Sequence, residues 1–140
     1  MNATYNPTNE TVTQSDDYSF AVSLYQITSC TNITASGIYL LSQNISGNQS
    51  NGRCIDIQAN DTVLDCQGYW INGSDLASTY GIYANGRTNV TIKNCNVQDY
   101  DRGAYFVSSS YNIFKDVVTN SNGPVQVFTF LAALLITLQI

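Results

Sequence analysis

The chain has 140 residues, enough for one domain with a modest core, and it carries a formal net charge of −5. Its five Lys and Arg residues are scattered, so they cannot neutralise a run of phosphates, and we expect no nucleic-acid partner. Histidine is absent, which removes the commonest general base and the commonest zinc ligand. We expect neither a metal nor a cofactor.

Residues 1–18 are predicted to form a polar N-terminal arm. This segment holds two glycosylation sequons, an Asn-Pro step and a pair of adjacent aspartates. Residues 1–20 contain no basic residue and no apolar core of a secretory leader. We therefore expect either that the chain is a mature or trimmed product or that its start is not the natural one.

Sequons of the form Asn-x-Ser/Thr occur at eight asparagines. Random placement of the same residue types predicts about three. The excess indicates an export and N-glycosylation route, and hence an extracellular or cell-surface location. The candidate glycosylation sites are Asn2, Asn9, Asn32, Asn44, Asn48, Asn60, Asn72 and Asn89.

Residues 19–123 are predicted to form an all-β domain. Short stretches rich in Val, Ile, Thr and Tyr are separated by Gly, Asn and Ser, without helical periodicity. The tripeptide GIY occurs at 37–39 and 81–83, and GAY follows at 103–105. A recurrence with so short a period predicts a β-solenoid, in which strands of successive turns stack in parallel.

The last two turns align without insertions when the second GIY is matched to GAY, which places Ile92 opposite Phe114 and Cys95 opposite Val117. Because side chains alternate along a strand, every second residue should point inward and form aliphatic columns along the axis. The predicted column residues are Ile55, Ile57, Ile82, Ala84, Val90 and Ile92.

The pattern Asn-x-Thr-(Val/Ile)-x-(Asp/Asn)-Cys occurs at 60–66 and again at 89–95. On equivalent strands, Thr62 would lie over Thr91, Val63 over Ile92 and Cys66 over Cys95. The two cysteines would then be about 5 Å apart at Cα, within reach of a disulfide.

Four cysteines without Cys-x-x-Cys spacing predict two disulfides and not a zinc site. The repeat favours Cys66–Cys95, which leaves Cys30–Cys54. The alternative is a column of buried free thiols.

The segments CIDIQANDTVLDCQGYWING and GIYANGRTNVTIKNCNVQDYDRGAYFVSSSYNIF resemble repeats of the pectin-lyase-like superfamily, particularly Asn-rich versions on archaeal and bacterial cell-surface proteins. The resemblance covers about residues 28–123. It implies a right-handed parallel β-helix of four to five coils, extracellular placement and a glycan-related context. It does not define an activity, because one fold serves many functions.

The sequons also recur at nearly constant distances. The sequence distance from Asn32 to Asn60 is nearly the same as the distance from Asn60 to Asn89, and Asn44 and Asn72 are equally far apart. If these sites lie on equivalent turns, their glycans would form one or two stripes along the solenoid.

A catalytic role would have to rest on carboxylates and a few cations, because histidine is absent. Asp65, Asn94 and Asp116 are predicted to form one column, which would suit a cation or an acid pair. The commoner alternative is a ladder of hydrogen-bonded polar side chains. Since four or five turns leave little room for a substrate groove, we expect no enzymatic activity. The other candidates are Asp56, Asp61, Lys93 and Arg87, together with the turn cluster Asp99, Asp101 and Arg102.

The Gly-x-Tyr motifs suggest a sugar-binding surface. Tyr39, Tyr83 and Tyr105 share one position in the motif and would form an aromatic strip that stacks on sugar rings. The alternative is an aromatic ladder that stabilises the sheet without a ligand.

Residues 124–140 form an apolar C-terminal segment that lacks any charged residue. It is short for a membrane anchor, while VQVFTF would suit one more β turn. We predict that it covers the open end of the solenoid or contacts another subunit, and the alternative is a clipped membrane anchor. The predicted contact residues are Val125, Val127, Phe128, Phe130, Leu131, Leu134, Leu135, Ile136, Leu138 and Ile140.

Together these patterns predict an extracellular, N-glycosylated structural solenoid that polymerises head to tail with itself into a surface layer or filament. The alternatives are a carbohydrate-binding or adhesive module that meets extracellular polysaccharide, and a fragment of a polysaccharide lyase or hydrolase.

Overall fold

The computed structural model describes residues 4–6, 11–13, 23–120, 126–127 and 135–139, with side chains described for 23–120. Every regular element in these ranges is a β-strand. The strands are β1 Thr4–Asn6, β2 Thr11–Thr13, β3 Leu24–Ile27, β4 Thr31–Ile33, β5 Gly37–Leu41, β6 Ile45–Ser46, β7 Arg53–Ile57, β8 Thr62–Asp65, β9 Trp70–Asn72, β10 Tyr80–Asn85, β11 Val90–Gln98, β12 Arg102–Val107, β13 Ile113–Asn120, β14 Gln126–Val127 and β15 Leu135–Gln139.

The strands stack as a parallel β-solenoid of about four turns, which confirms the predicted fold class. One sheet has the order β14-β12-β10-β7-β4, and a second has the order β15-β13-β11-β8-β5-β3 with β6 and β9 beside it. All pairs in both sheets are parallel, whereas β1 and β2 form a separate antiparallel hairpin. The hand of the coil stays a prediction.

The core consists of inward columns that run along the axis, as the alternation predicted. Pairing places Ile55 beside Ile82, and Ile57 beside Ala84. All six residues predicted for the columns are buried, with exposed fractions of 1% or less. The two sheets meet where the rings of Phe106 and Phe114 pack edge to face, with their centroids 4.8 Å apart.

One column passes through the whole eight-stranded sheet. In the pairing register it contains Tyr25, Tyr39, Leu64, Ile92, Phe114 and the position of Ile136. Tyr39, Leu64, Ile92 and Phe114 are buried, while Tyr25 at the N-terminal end is 41% exposed. The solenoid therefore leaves the end of its core accessible at this face.

The pairing of the two heptapeptides differs from the predicted one. Thr62 lies opposite Val90, and Val63 opposite Thr91, so each residue pairs one position earlier than the repeat predicts. The predicted pairs Thr62–Thr91 and Val63–Ile92 are therefore wrong by one position. The pairs predicted for the next turn, Ile92–Phe114 and Cys95–Val117, are confirmed.

A one-residue bulge at Asn94 reconciles this shifted pairing with the stacked cysteines. Asp65 pairs with Lys93, yet Cys66 lies beside Cys95, so Asn94 is the extra residue. Its φ of 56° is left-handed, a conformation that asparagine tolerates better than most side chains.

Left-handed residues recur along the solenoid, in turns and within strands. Ten non-glycine residues have positive φ within the described ranges, and six of them are Asn or Asp: Asp61, Asp75, Asn89, Asn94, Asp99 and Asp116. Part of the asparagine content therefore has a conformational cause that is independent of glycosylation.

The C-terminal segment continues both sheets. β14 pairs with β12, and β15 pairs with β13, both in the parallel sense. The ten predicted contact side chains lie outside the described ones. Across the described ranges, we found no helix with the length and apolar character that a membrane span requires.

Candidate functional site

Both predicted disulfides are present. Cys66–Cys95 joins β8 to β11 with a Cα separation of 4.8 Å, and Cys30–Cys54 joins the first turn to the second at 4.4 Å. All four cysteines are therefore disulfide-bonded, and none is a free thiol. Two disulfides are compatible with an extracellular location, because such bonds persist in oxidising compartments.

Two of the candidate glycosylation sites lie on one corner of adjacent turns. The Oδ1 atom of Asn60 accepts a hydrogen bond from the Thr88 backbone at 3.0 Å. Next to it, the Asn89 amide donates to Asp61 at 2.8 Å. Each side chain is exposed, but each is also bonded to the neighbouring turn.

The predicted register of the other sequons does not hold. Asn32 lies opposite Asp56 in the five-stranded sheet, so it is not in line with Asn60. Asn72 lies opposite Ser46, two positions from Asn44. The turns differ in length, so a constant sequence distance does not keep residues in line. Asn48 lies in the turn that follows β6, while Asn2 and Asn9 are outside the described residues.

Asn44 has a structural partner. Its Oδ1 accepts a hydrogen bond from the Trp70 backbone N–H at 2.9 Å. Since a backbone N–H can only donate, Oδ1 must face the protein and Nδ2 must face away. A glycan attached to Nδ2 leaves this bond intact.

The carboxylates are dispersed along the solenoid and bonded locally. Asn94 donates to Asp65 at 3.0 Å, as expected for a polar ladder, and the Lys93 ammonium lies 3.9 Å from the same carboxylate. Asp116 occupies the equivalent position on the next turn and is exposed. No group of three potential metal ligands occurs among the described residues.

The turn cluster that contains Asp99, Asp101 and Arg102 is half-exposed. Arg102 lies 3.8 Å from Asp101, and this carboxylate accepts a hydrogen bond from the Ser78 backbone. Asp99 adopts a left-handed conformation in the turn. These contacts hold the loop at 73–79 against the next turn.

Tyr39 does not share a strip with the other two tyrosines. It lies in β5 of the eight-stranded sheet, whereas Tyr83 and Tyr105 pair in the five-stranded sheet. Its ring stacks on Tyr25 at 4.6 Å, and its hydroxyl donates to the Ala35 carbonyl at 2.7 Å. Burial and the neighbouring Tyr25 raise the pKa of Tyr39. Tyr39 is part of the core.

Five side chains form a tyrosine–arginine face on the five-stranded sheet. They are Arg53, Tyr80, Tyr83, Arg102 and Tyr105. Pairing places Tyr80 between the two arginines and Tyr83 beside Tyr105. Arg53, Tyr80 and Arg102 each directly precede an equivalent residue of the repeat, at positions 54, 81 and 103. This shared position could have indicated that the three side chains lie together, but the sequence analysis did not use it.

Contacts within this face occupy the ring of Tyr83. The Arg53 guanidinium lies 3.6 Å from its centroid, and the Tyr105 ring stacks at 5.9 Å. Tyr83 is 9% exposed, so it has no free face for a sugar. Tyr105 keeps partial exposure.

A depression of about 140 Å³ adjoins the face. Arg53, Asp56, Gln58 and Arg87 contribute to its lining. The buried Asp56 carboxylate accepts from Arg53 at 2.9 Å and from Gln58 at 3.1 Å. All three arginines of the chain therefore lie on or beside this face of an otherwise acidic protein.

The ends of the solenoid are the second candidate site. Among the described strands, β3 and β4 at one end and β14 and β15 at the other each have a partner on one side. Parallel strands with an unpaired edge present rows of N–H and C=O groups that another strand can bond.

No family model, curated protein or solved structure matched the chain. The fold class therefore rests on the strand pairing, and the superfamily and archaeal relationship stay predictions.

Proposed function

We propose that this protein is an extracellular structural β-solenoid, a subunit that assembles end to end into a surface layer or filament. The proposal rests on one observation: both sheets finish, at both ends, in parallel strands with a single partner among the described residues. A copy displaced along the axis offers strands of the same direction to the same two sheets. Such a contact is heterologous and does not close, so it produces a filament.

Three further features support this proposal. Two disulfides hold successive turns together, as in proteins that persist outside the cell. The eight sequons fit an exported chain that carries N-glycans. The carboxylates that would serve an enzyme are spread over several turns, and the buried Asp56 is bonded to Arg53 and Gln58.

The test is the assembly state of the full-length, oxidised protein. It is purified from an exporting host and studied by light scattering and negative-stain electron microscopy across a range of concentrations. We expect concentration-dependent filaments or sheets as wide as one solenoid. A monodisperse monomer at every concentration would contradict the proposal.

A second candidate function is carbohydrate binding or adhesion through the tyrosine–arginine face. The observation that favours it is the gathering of Arg53, Arg102 and the partly exposed Tyr105 on one sheet. Such a surface combines ring stacking with donors for sugar oxygens.

A glycan array tests this second function, followed by titration of each bound sugar against Tyr105→Ala. We expect the substitution to weaken binding, with Tyr111→Ala, an exposed tyrosine outside the face, as the matched control. Equal binding by both variants, or no bound glycan at all, would remove this candidate.

A further inference from the structure

The N-terminal edge strand β3 has one side whose backbone groups are available to another strand. The carbonyls of Ser23 and Ile27 accept hydrogen bonds from Ile38 and Ser42 at 3.0 and 3.3 Å. Because backbone groups alternate in a parallel strand, those of Leu24 and Gln26 point away from β5. Among the described strands, none pairs with this side of β3.

The side chains of this edge are apolar or neutral and are accessible to solvent. Leu24 is 36% exposed, Tyr25 is 41% exposed, and Gln26 is also exposed. Natural sheets protect open edges with charged residues or proline, and residues 23–27 contain neither. A depression of about 200 Å³ lies beside the edge, lined in part by Leu24, Gln26 and Gln67.

The core column ends at this edge. The Tyr25 ring stacks on Tyr39 at 4.6 Å with the planes 17° apart, and Tyr39 in turn lies over Leu64 in the pairing register. Tyr25 is the last residue of the column, and its exposure leaves apolar ring surface in water. One more strand would cover this ring and extend the column.

The edge is also held in position before any partner arrives. The Cys30–Cys54 disulfide ties the first turn to the second, and Gln43 donates to the Thr28 carbonyl at 3.2 Å. An ordered edge loses less conformational entropy on association than a frayed one.

The opposite end of the same sheet supplies a matching strand. β15 pairs with β13 in the parallel sense, so it runs in the same direction as β3. Its residues 135–139 carry no charge. In the register, Ile136 follows Phe114 in the column that finishes at Tyr25.

We propose that the β3 edge is the acceptor at the subunit joint and that β15 of a second copy binds to it in parallel, with the Ile136 position over Tyr25. This inference rests on the proposed end-to-end assembly and identifies the partner as another copy of this chain. The backbone groups of Leu24 and Gln26 would form the new hydrogen bonds, and Tyr25 would become buried.

The test compares two substitutions at Gln26 in the full-length, oxidised protein. Gln26→Pro removes an N–H that points to the open edge and no N–H that bonds β5. Gln26→Ala removes the same side chain and keeps the N–H. We expect Gln26→Ala to form filaments like the parent and Gln26→Pro to lose them, with at least a several-fold rise in the protein concentration needed for assembly.

A mixing experiment separates a blocked edge from a misfolded chain. Gln26→Pro retains its β15 end, so it should bind the β3 edge of the parent chain and then stop growth. A small proportion of the variant should shorten parent filaments several-fold, whereas a misfolded chain would leave their length unchanged. Filaments of Gln26→Pro that match the parent would overturn the inference and leave end-to-end assembly standing. A parent chain that never assembles would overturn the proposed function itself.

Discussion

Cys66 and Cys95 are bridged at a Cα separation of 4.8 Å, although the strands that lead to them are paired one residue out of step. The bulge at Asn94 absorbs the difference with a left-handed φ of 56°. The disulfide therefore depends on the conformation of a single exposed residue.

Replacing Asn94 tests the bulge. Asn94→Gly should be tolerated, because glycine adopts positive φ without strain and only an exposed hydrogen bond to Asp65 is lost. Asn94→Val should lower the free energy of unfolding by about 1–3 kcal/mol, because a β-branched residue is strained there. Urea denaturation of the oxidised proteins measures both.

The control is Gln98, which lies in the same strand without positive φ. The Gln98→Val protein should be at least as stable as the Gln98→Gly protein, because β-branched residues suit a strand. If Val and Gly are equivalent at position 94, the bulge does not require a left-handed residue.

The two disulfides should differ in what they stabilise. Removing Cys66–Cys95 by a double alanine substitution should lower global stability by about 3–4 kcal/mol, the loop-entropy value for a closed segment of this length. Removing Cys30–Cys54 should mainly free the first turn, because that bridge holds the terminal turn to the second.

Hydrogen-exchange mass spectrometry distinguishes these two effects. Without Cys30–Cys54 we expect faster exchange confined to residues 23–52. Without Cys66–Cys95 we expect faster exchange across both sheets. Uniform acceleration in both variants would show that the first turn does not unfold separately.

Tyr100 joins three turns through one hydroxyl. The fully buried side chain donates to the Gly47 carbonyl at 2.7 Å and contacts the Asn72 carbonyl at 3.0 Å. Tyr100→Phe should lower the free energy of unfolding by about 1–3 kcal/mol, because it removes the hydroxyl that donates to the buried Gly47 carbonyl. Tyr111→Phe, at an exposed position, is the control and should be neutral.

The same residue predicts an alkaline loss of stability. Burial raises the pKa of Tyr100 well above its ordinary value near 10, so the folded state holds the proton more tightly than the unfolded state. The stabilisation is complete below pH about 10 and declines above it by about 1.4 kcal/mol per pH unit. Tyr100→Phe should decline less steeply between pH 10 and 12, so parallel stability curves would contradict this prediction.

Asn44 separates structural asparagine from glycosylated asparagine. Asn44→Ala removes both the sequon and the hydrogen bond to Trp70, whereas Ser46→Ala removes the sequon alone. We expect both variants to lose one glycan by intact-mass spectrometry if the site is occupied. Only Asn44→Ala should lose about 1 kcal/mol of stability in enzymatically deglycosylated samples. Equal stability would assign no structural role to the amide.

Much of the coil could be predicted from sequence because it depends on spacing. The Ile92–Phe114 and Cys95–Val117 pairs follow from two turns that align without insertions. The turn from β7 to β10 is longer than the next turn because it contains the loop at 73–79. The length of a repeat alone does not show at which corner of the solenoid such an insertion lies. The match of Asn32 with Asn60 failed because the first turn is shorter than the distance between the sequons: Asn32 pairs with Asp56, which precedes Asn60 in the chain.

The candidate sites were less accessible to sequence reasoning. Tyr39 and Tyr83 stand in the same tripeptide, yet they lie in different sheets, because GIY fits the start of a strand in either sheet. The glycine before Ile82 is needed because a Cβ at Gly81 would overlap the Val97 side chain and the Gly103 carbonyl. Arg53 and Arg102 share one repeat position with Tyr80, but the residue types at this position differ, so the sequence analysis missed that they converge.

The solenoid, its inward aliphatic columns and the pairing of its cysteines could all be predicted from the sequence, because they follow from a short period and the alternation of side chains along strands. Three features became visible only in the folded chain: the one-residue bulge at Asn94, the sheet to which each tyrosine belongs and the exposed end of the core at Tyr25. These features depend on how turns of unequal length close around the core, and local pattern does not encode that closure.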